Sequence, residues 1–163
     1  MARAYVSIGS NIDAVRHIRS AVTLLRHSYG PLIASPVYES EAVGFDGDNF
    51  LNLVVGFDTG DAVSEVARRL REIEDDHARD RSGPRFSART LDLDLLLYDD
   101  AVINDGTLQI PRDEITENAF VLAPLADVAP TLRHPLTGQT YAGLWQRFDK
   151  ARQRLWVIGF QWD

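Results

Sequence analysis

The chain of 163 residues contains no cysteine. Disulfides and thiolate chemistry are therefore excluded, and a reducing, cytoplasmic setting is the expectation. Lysine is nearly absent: Lys150 stands alone among 17 lysine and arginine residues. A phosphate loop built around its own lysine after a glycine-rich turn is excluded with it. No apolar run approaches the roughly 18 residues that a membrane span needs. The opening MARAYVSIGSN lacks the apolar centre of a signal peptide. Internal repeats, low-complexity tracts and a dividing linker are also missing, so one domain over residues 1–163 is expected.

What is present is an ordinary globular composition, 45% hydrophobic and 25% charged. The net charge of -7 argues against a general nucleic-acid binder. The arginines are unevenly spread: Arg68, Arg69, Arg71, Arg79, Arg81, Arg85 and Arg89 fall close together. An acidic chain with one arginine-rich segment points to a local anion site rather than a basic face.

Hydrophobic periodicity sets the element order. A β-branched run at 3–8 predicts a first strand. Asn11 or Asp13 is the candidate cap of a helix carrying Val15, Ile18, Val22 and Leu25 to about Ser28. LIASPVYES reads as a second strand with a bulge or edge at Pro36. NFLNLVVGFDT reads as a third strand. A helix capped by Asp61 follows, with Val63, Val66, Ala67, Leu70 and Ile73 as its stripe, ending near His77. Residues 78–88 read as a polar loop and 90–98 as the fourth strand. Beyond these come a short hairpin turning at Asp99–Asp100 or Asp105–Gly106, then short helices stopped by Pro124 and Pro130. A further helix follows in AGLWQRFDKA and a last strand in RLWVIGF. This order predicts an α+β, ferredoxin-like βαββαβ sandwich: a mostly antiparallel sheet, helices on one face, and a C-terminal extension.

Three constellations carry chemistry. In the leucine strand LDLDLLL, alternation puts Asp92 and Asp94 on one face and Leu91, Leu93, Leu95 and Leu97 on the other. Two like charges on one face need a cation or arginines, so the alternatives are a Mg²⁺ site and a solvated, arginine-paired face. Arg79, Arg81, Arg85 and Arg89 lie in or beside the preceding loop, where they either clamp phosphate or pair with Glu72, Glu74, Asp75 and Asp76. Phe50 and Asn52 share a face of the third strand, as a core ring and a backbone-bonded amide or as a stacking and hydrogen-bonding pair for a heterocycle.

Taken in order, ARTLDLDLL after the arginine loop, FLN upstream, YVSIGSN at the start and FVLAPLADVAP downstream resemble the 6-hydroxymethyl-7,8-dihydropterin pyrophosphokinases of folate biosynthesis. The resemblance runs from the first strand to about Pro130. It implies a ferredoxin-like fold and transfer of pyrophosphate from ATP to the pterin's hydroxymethyl group, with release of AMP. It further implies two Mg²⁺ ions on Asp92 and Asp94, and catalytic roles for Arg79 and Arg89. The ATP side would comprise Glu74, Arg81, Phe86, Leu95, Gln109, Pro111 and Arg112. The pterin side would comprise Ser40, Val43, Gly44, Phe50, Asn52 and Phe120. Partners would be these small molecules, without nucleic acid or membrane, and a monomer is expected.

The chain departs from the family's pattern in three places. Arg112 stands where histidine is common, Asn118 where arginine is common, and Phe86-Ser87-Ala88 where Trp-Gly-Pro is common. Arg112 is a candidate to replace the missing positive charge. Two other readings stay open at this level: a catalytically weak pterin- or nucleotide-binding relative, and a ferredoxin-like RNA-binding module. The latter wants aromatics and basic residues on the sheet, where this chain puts Asp92 and Asp94.

Overall fold

The computed structural model describes residues 1–41, 48–78 and 90–162. In chain order the elements are β1 (Ala2–Ser10), α1 (Ala14–Tyr29), β2 (Ile33–Ala34), β3 (Val37–Ser40), β4 (Phe50–Thr59) and α2 (Val63–Ala78). Then follow β5 (Asp92–Tyr98), β6 (Ile103–Asn104), β7 (Gln109–Ile110), α3 (Glu114–Glu117), α4 (Ala119–Val128), α5 (Tyr141–Arg147) and β8 (Leu155–Ile158).

The main sheet runs β5-β1-β4-β3-β8, with β2 also paired to β4, and every pairing is antiparallel. β1 and β4 sit in the middle because both are apolar on both faces. Ala4, Val6, Ile8, Leu53, Val55 and Phe57 look one way, and Tyr5 and Val54 look the other. The first face buries Ile18, Val22 and Leu25 of α1 and Val66, Leu70 and Ile73 of α2. The expected sandwich is thus present, with its two helices on one face. The C-terminal extension covers the second face: Ile115 of α3, Val121, Leu122 and Leu125 of α4, and Tyr141 of α5 pack against Tyr5, Val54, Leu96 and Leu97. Among the described residues no helix is long and apolar enough to cross a membrane.

Several local expectations change. The first strand is longer than 3–8, because Gly9 and Ser10 pair with Asn52 and Leu51. Val15 is exposed, and Ala21 takes its place in the α1 stripe. Pro36 splits the second strand in two, and Ser35 bridges the break: its N–H donates to Val54 O (2.9 Å) and its Oγ accepts from Val54 N (3.0 Å). Asp61 lies short of α2, where the Glu65 carboxylate accepts from Ala62 N–H at 3.2 Å. Pro124 lies within α4 rather than stopping it, and the helix ends at Val128, before Pro130.

The largest change is in the leucine strand. The β1–β5 register shifts between Tyr5 and Val6, so that Val6 faces Leu95 while Tyr5 faces Leu97. Leu96 is the extra residue, and a bulge of this kind reverses the alternation beyond it. Leu97 therefore packs with Tyr5 and Leu125 on the second face, not with Leu93 and Leu95 against the helices.

Tyr5 reaches its place by lying over Gly56 of β4, where an added Cβ would sit 2.7 Å from Tyr5 Cε1. Gly56→Ala is expected to lower the free energy of unfolding by about 1–3 kcal/mol, read by urea denaturation, because the ring must leave a packed position. A fully native midpoint would show that the ring moves freely.

Candidate active site

β1 is the centre of the site as well as of the sheet. Gly9 lies between Asn52 of β4 and Asp92 of β5, and Ser7 lies between Val54 and Asp94. Strand alternation then sends Asn52, Asp92 and Asp94 to the same face of the sheet. Ser40, the last residue of β3, pairs with Phe50, and Phe50 shares that face with Asn52. Three adjacent strands thus present an amide with an aromatic ring on one side of Gly9 and a pair of carboxylates on the other. Across one intervening strand the two groups are roughly 10 Å apart.

Asn52 is 5% exposed, and its Oδ1 finds no hydrogen-bond partner among the described residues. Leaving a buried amide oxygen unpaired costs about 1–3 kcal/mol. Such a cost is expected where a ligand completes the bond. The amide lies close beside Gly9, where a Cβ would stand only 2.6 Å from Asn52 Nδ2. Gly9 belongs to the site for this reason, and its role is invisible until the strands are paired. Phe120 lies in the first turn of α4 and packs, partly buried, on the cluster that contains Val54. The Tyr38 hydroxyl donates to Asp127 and ties this helix to β3.

On the other side of Gly9, negative charge accumulates. Asp92 and Asp94 are half-buried on β5, and Glu74 reaches them from α2. The Glu74 carboxylate accepts from Leu93 N–H at 2.8 Å. Burial pushes the Glu74 carboxyl up to about 7, against the Leu93 hydrogen bond and with further help from Asp92 and Asp94. The main cause is loss of solvent, and the two neighbouring carboxylates add to it, so three acids share this corner of the fold. No group of three or more metal-binding side chains occurs among the described residues. Two aspartates two residues apart supply hard oxygen donors of the kind that could hold Mg²⁺.

Beside these acids lies a cavity of about 160 Å³ lined by Arg71, Glu74, Asp94, Leu95 and Arg112, among others. Leu95 belongs to the helix-side core, so it forms the cavity's apolar wall. Arg112 enters from the segment after β7, which follows a cis Ile110–Pro111 peptide. Its N–H donates to Leu96 O at 3.2 Å. Its Nη2 lies 2.7 Å from Glu114 and 3.6 Å from Asp94. Pro111 is buried, and Gln109 donates to Asp113 at 2.8 Å, which orients the same segment. Asn118 precedes α4 and accepts from Gln153 Nε2 at 3.3 Å, while Gln153 Oε1 accepts from Ala119 N–H. Asn118 thus belongs to the joint between α4 and the C-terminal segment.

Of the residues expected at the site, the structure brings together Ser40, Phe50, Asn52, Phe120, Glu74, Leu95, Asp92, Asp94 and Arg112, with Gln109 and Pro111 supporting Arg112. Val43, Gly44, Arg79, Arg81, Phe86 and Arg89 lie outside the described residues. Sequence reasoning missed Gly9 and Glu114, and counted Arg71 only in the arginine-rich segment without pairing it with Glu74. Arg71 precedes Glu74 by three residues, a helical spacing that places both on one face and could have revealed it.

The family model described as 7,8-dihydro-6-hydroxymethylpterin-pyrophosphokinase (HPPK) matches residues 5–130. The chain belongs to this family. A pyrophosphokinase of Aquifex aeolicus, named for 2-amino-4-hydroxy-6-hydroxymethyldihydropteridine, is 32% identical over 138 residues, covering 83% of this chain and 86% of that protein. Its namesake in Pseudomonas aeruginosa is 39% identical over 137 residues, covering 82% and 84%. An HPPK-DHPS crystal structure from Plasmodium falciparum superposes with a TM-score of 0.73 at 14% identity. That match covers 90% of this chain and 41% of the Plasmodium chain, and it shows the HPPK fold. The matched residues 5–130 include every described site residue, from Gly9 of β1 to Phe120 of α4.

Glu74 makes the metal-free protein pH-dependent. Its folded value lies above the ordinary carboxyl value of 4.5, so between pH 4.5 and about 7 the folded state keeps a proton that the unfolded state has released. Stability then falls as pH rises through that window. Glu74→Gln keeps an acceptor for Leu93 N–H and removes the titration. With a chelator present, the variant is expected to melt higher than the native protein at pH 8, with the gap closing toward pH 4.5. A gap that is constant with pH would refute this assignment.

Proposed function

We propose that the chain is a 6-hydroxymethyl-7,8-dihydropterin pyrophosphokinase that transfers pyrophosphate from ATP to the pterin's hydroxymethyl group, releases AMP, and serves folate synthesis. The observation that carries the reading is that Gly9 divides one sheet face, with the Asn52 amide and Phe50 on one side and the Asp92 and Asp94 carboxylates on the other. Asn52, with its unpaired Oδ1, recognises the amide edge of the pterin, and Phe50 and Phe120 cover the ring. The Ser40–Gly44 backbone takes the remaining edge. Asp92 and Asp94 are the residues that would hold Mg²⁺, two ions in this reading. Held there, Mg²⁺ would supply positive charge to offset that of the phosphates.

The chain's own residues supply position and charge. Arg79 and Arg89 stabilise charge on the transferred group and the leaving α-phosphate, and Arg81 holds the nucleotide. Glu74, Phe86, Leu95, Gln109, Pro111 and Arg112 complete the ATP side. No covalent intermediate is required, in keeping with the absence of cysteine. The same reading takes residues 1–163 as one domain working as a cytoplasmic monomer. An RNA-binding module would use the sheet face that α3, α4 and α5 cover here, which argues against that alternative.

Incubation with ATP, the hydroxymethyl pterin and Mg²⁺ is expected to release AMP, and omission of the pterin should abolish the release. Asp92→Asn and Asp94→Asn should each lower kcat by at least about a hundredfold. AMP formation that is indifferent to the pterin would reject the function, and full turnover in both variants would reject the metal assignment.

Gly9→Ala tests the pterin half separately. The new methyl must push the Asn52 amide aside, so KM for the pterin should rise by about tenfold while KM for ATP stays close to native. An unchanged pterin KM would remove Asn52 from the recognition site.

A further inference from the structure

The distinctive feature of this site is the cation already inside it. Arg112 Nη2 is shared between two carboxylates, 2.7 Å from Glu114 Oε1 and 3.6 Å from Asp94 Oδ1. Asp94 is also a residue assigned above to metal. The Arg112 side chain is 32% exposed and that of Asp94 is 21% exposed, so water screens the pair only partly. The backbone of Arg112 is tethered beside Asp94, because its N–H donates to Leu96 O on the same strand. A guanidinium does not deprotonate, so a divalent cation arriving at Asp94 must do so against a fixed positive charge.

We propose that Arg112 is a built-in counter-cation to Asp94 that weakens metal binding until the nucleotide arrives, with Glu114 as the anchor to which Arg112 withdraws. This rests on the reading of Asp92 and Asp94 as the metal-binding pair. With no nucleotide, Arg112 and the metal compete for Asp94. ATP phosphates give Arg112 a third set of acceptors in the adjoining cavity and release Asp94. Metal and ATP then bind with positive coupling, and the coupling is reciprocal. Arg112 is a positioning residue in this scheme, acting on the metal through Asp94 and Glu114.

The test is Mn²⁺ titration of the metal-free, full-length protein, read by the electron paramagnetic resonance of the free ion, with and without a non-hydrolysable ATP analogue. Without nucleotide, Arg112→Gln is expected to bind Mn²⁺ about tenfold more tightly than the native protein, the size of effect expected from removing one nearby charge. Glu114→Gln removes the 2.7 Å anchor and should shift affinity the other way. Arg112→Lys keeps the charge and should stay near native. With the analogue bound, the advantage of Arg112→Gln should disappear or invert. Native or weaker apo affinity in Arg112→Gln, with Mn²⁺ binding still abolished by Asp94→Asn, would overturn the counter-cation and leave the metal site standing. Native Mn²⁺ binding in Asp94→Asn would overturn both.

Discussion

β1 is hydrogen-bonded along both edges, to β4 on one side and β5 on the other, and each functional side chain takes its direction from that double pairing. A one-residue slip in either register would turn Asn52 or the two aspartates into the opposite core. The strand resists slipping because both of its faces are buried, Val6 and Ile8 against the helices and Tyr5 against the C-terminal layer. Packing on both sides therefore holds the recognition half and the charged half at a constant separation. Gly9 lies between them, and a side chain there would run into the Asn52 amide.

The bulge at Leu96 is the counterpart of this rigidity. Before it, β5 alternates leucine and aspartate, burying Leu93 and Leu95 and offering Asp92 and Asp94. After it, Leu97 is turned to the second face, where it joins α4 and Tyr5. One inserted residue thus ends the charged stretch and begins an apolar one on the same surface. Its carbonyl also accepts from Arg112 N–H, which brings the β7–α3 segment to the acids. The same irregularity closes the second core and delivers the arginine.

The three departures from the family's pattern now have different standings. Asn118 sits at the junction with the C-terminal segment and is engaged by Gln153, so it has a structural occupation in this chain. Arg112 is held by Glu114 and faces Asp94, so it bears directly on the charged half. Phe86-Ser87-Ala88 lies outside the described residues.

Much was legible in the sequence, because it rests on short-range periodicity. Alternation along LDLD and FLN sets which side chains share a face, and the helical stripes of α1 and α2 set which face meets the core. Order and composition were enough for the βαββαβ arrangement, and motif resemblance was enough for the family. The sequence could not show the skip at Leu96, since every residue from Leu95 to Leu97 is leucine and no change of chemistry marks the reversal. Nor could it show Pro124 inside α4, because the cost of a helical proline is offset by packing that local propensity does not contain. The neighbours of Gly9, and the sharing of Arg112 between Glu114 and Asp94, were decided only by tertiary structure. The contacts of Gly9 with Asn52 and of Arg112 with Asp94 join different elements of the fold, and their distances follow from register and packing rather than from spacing.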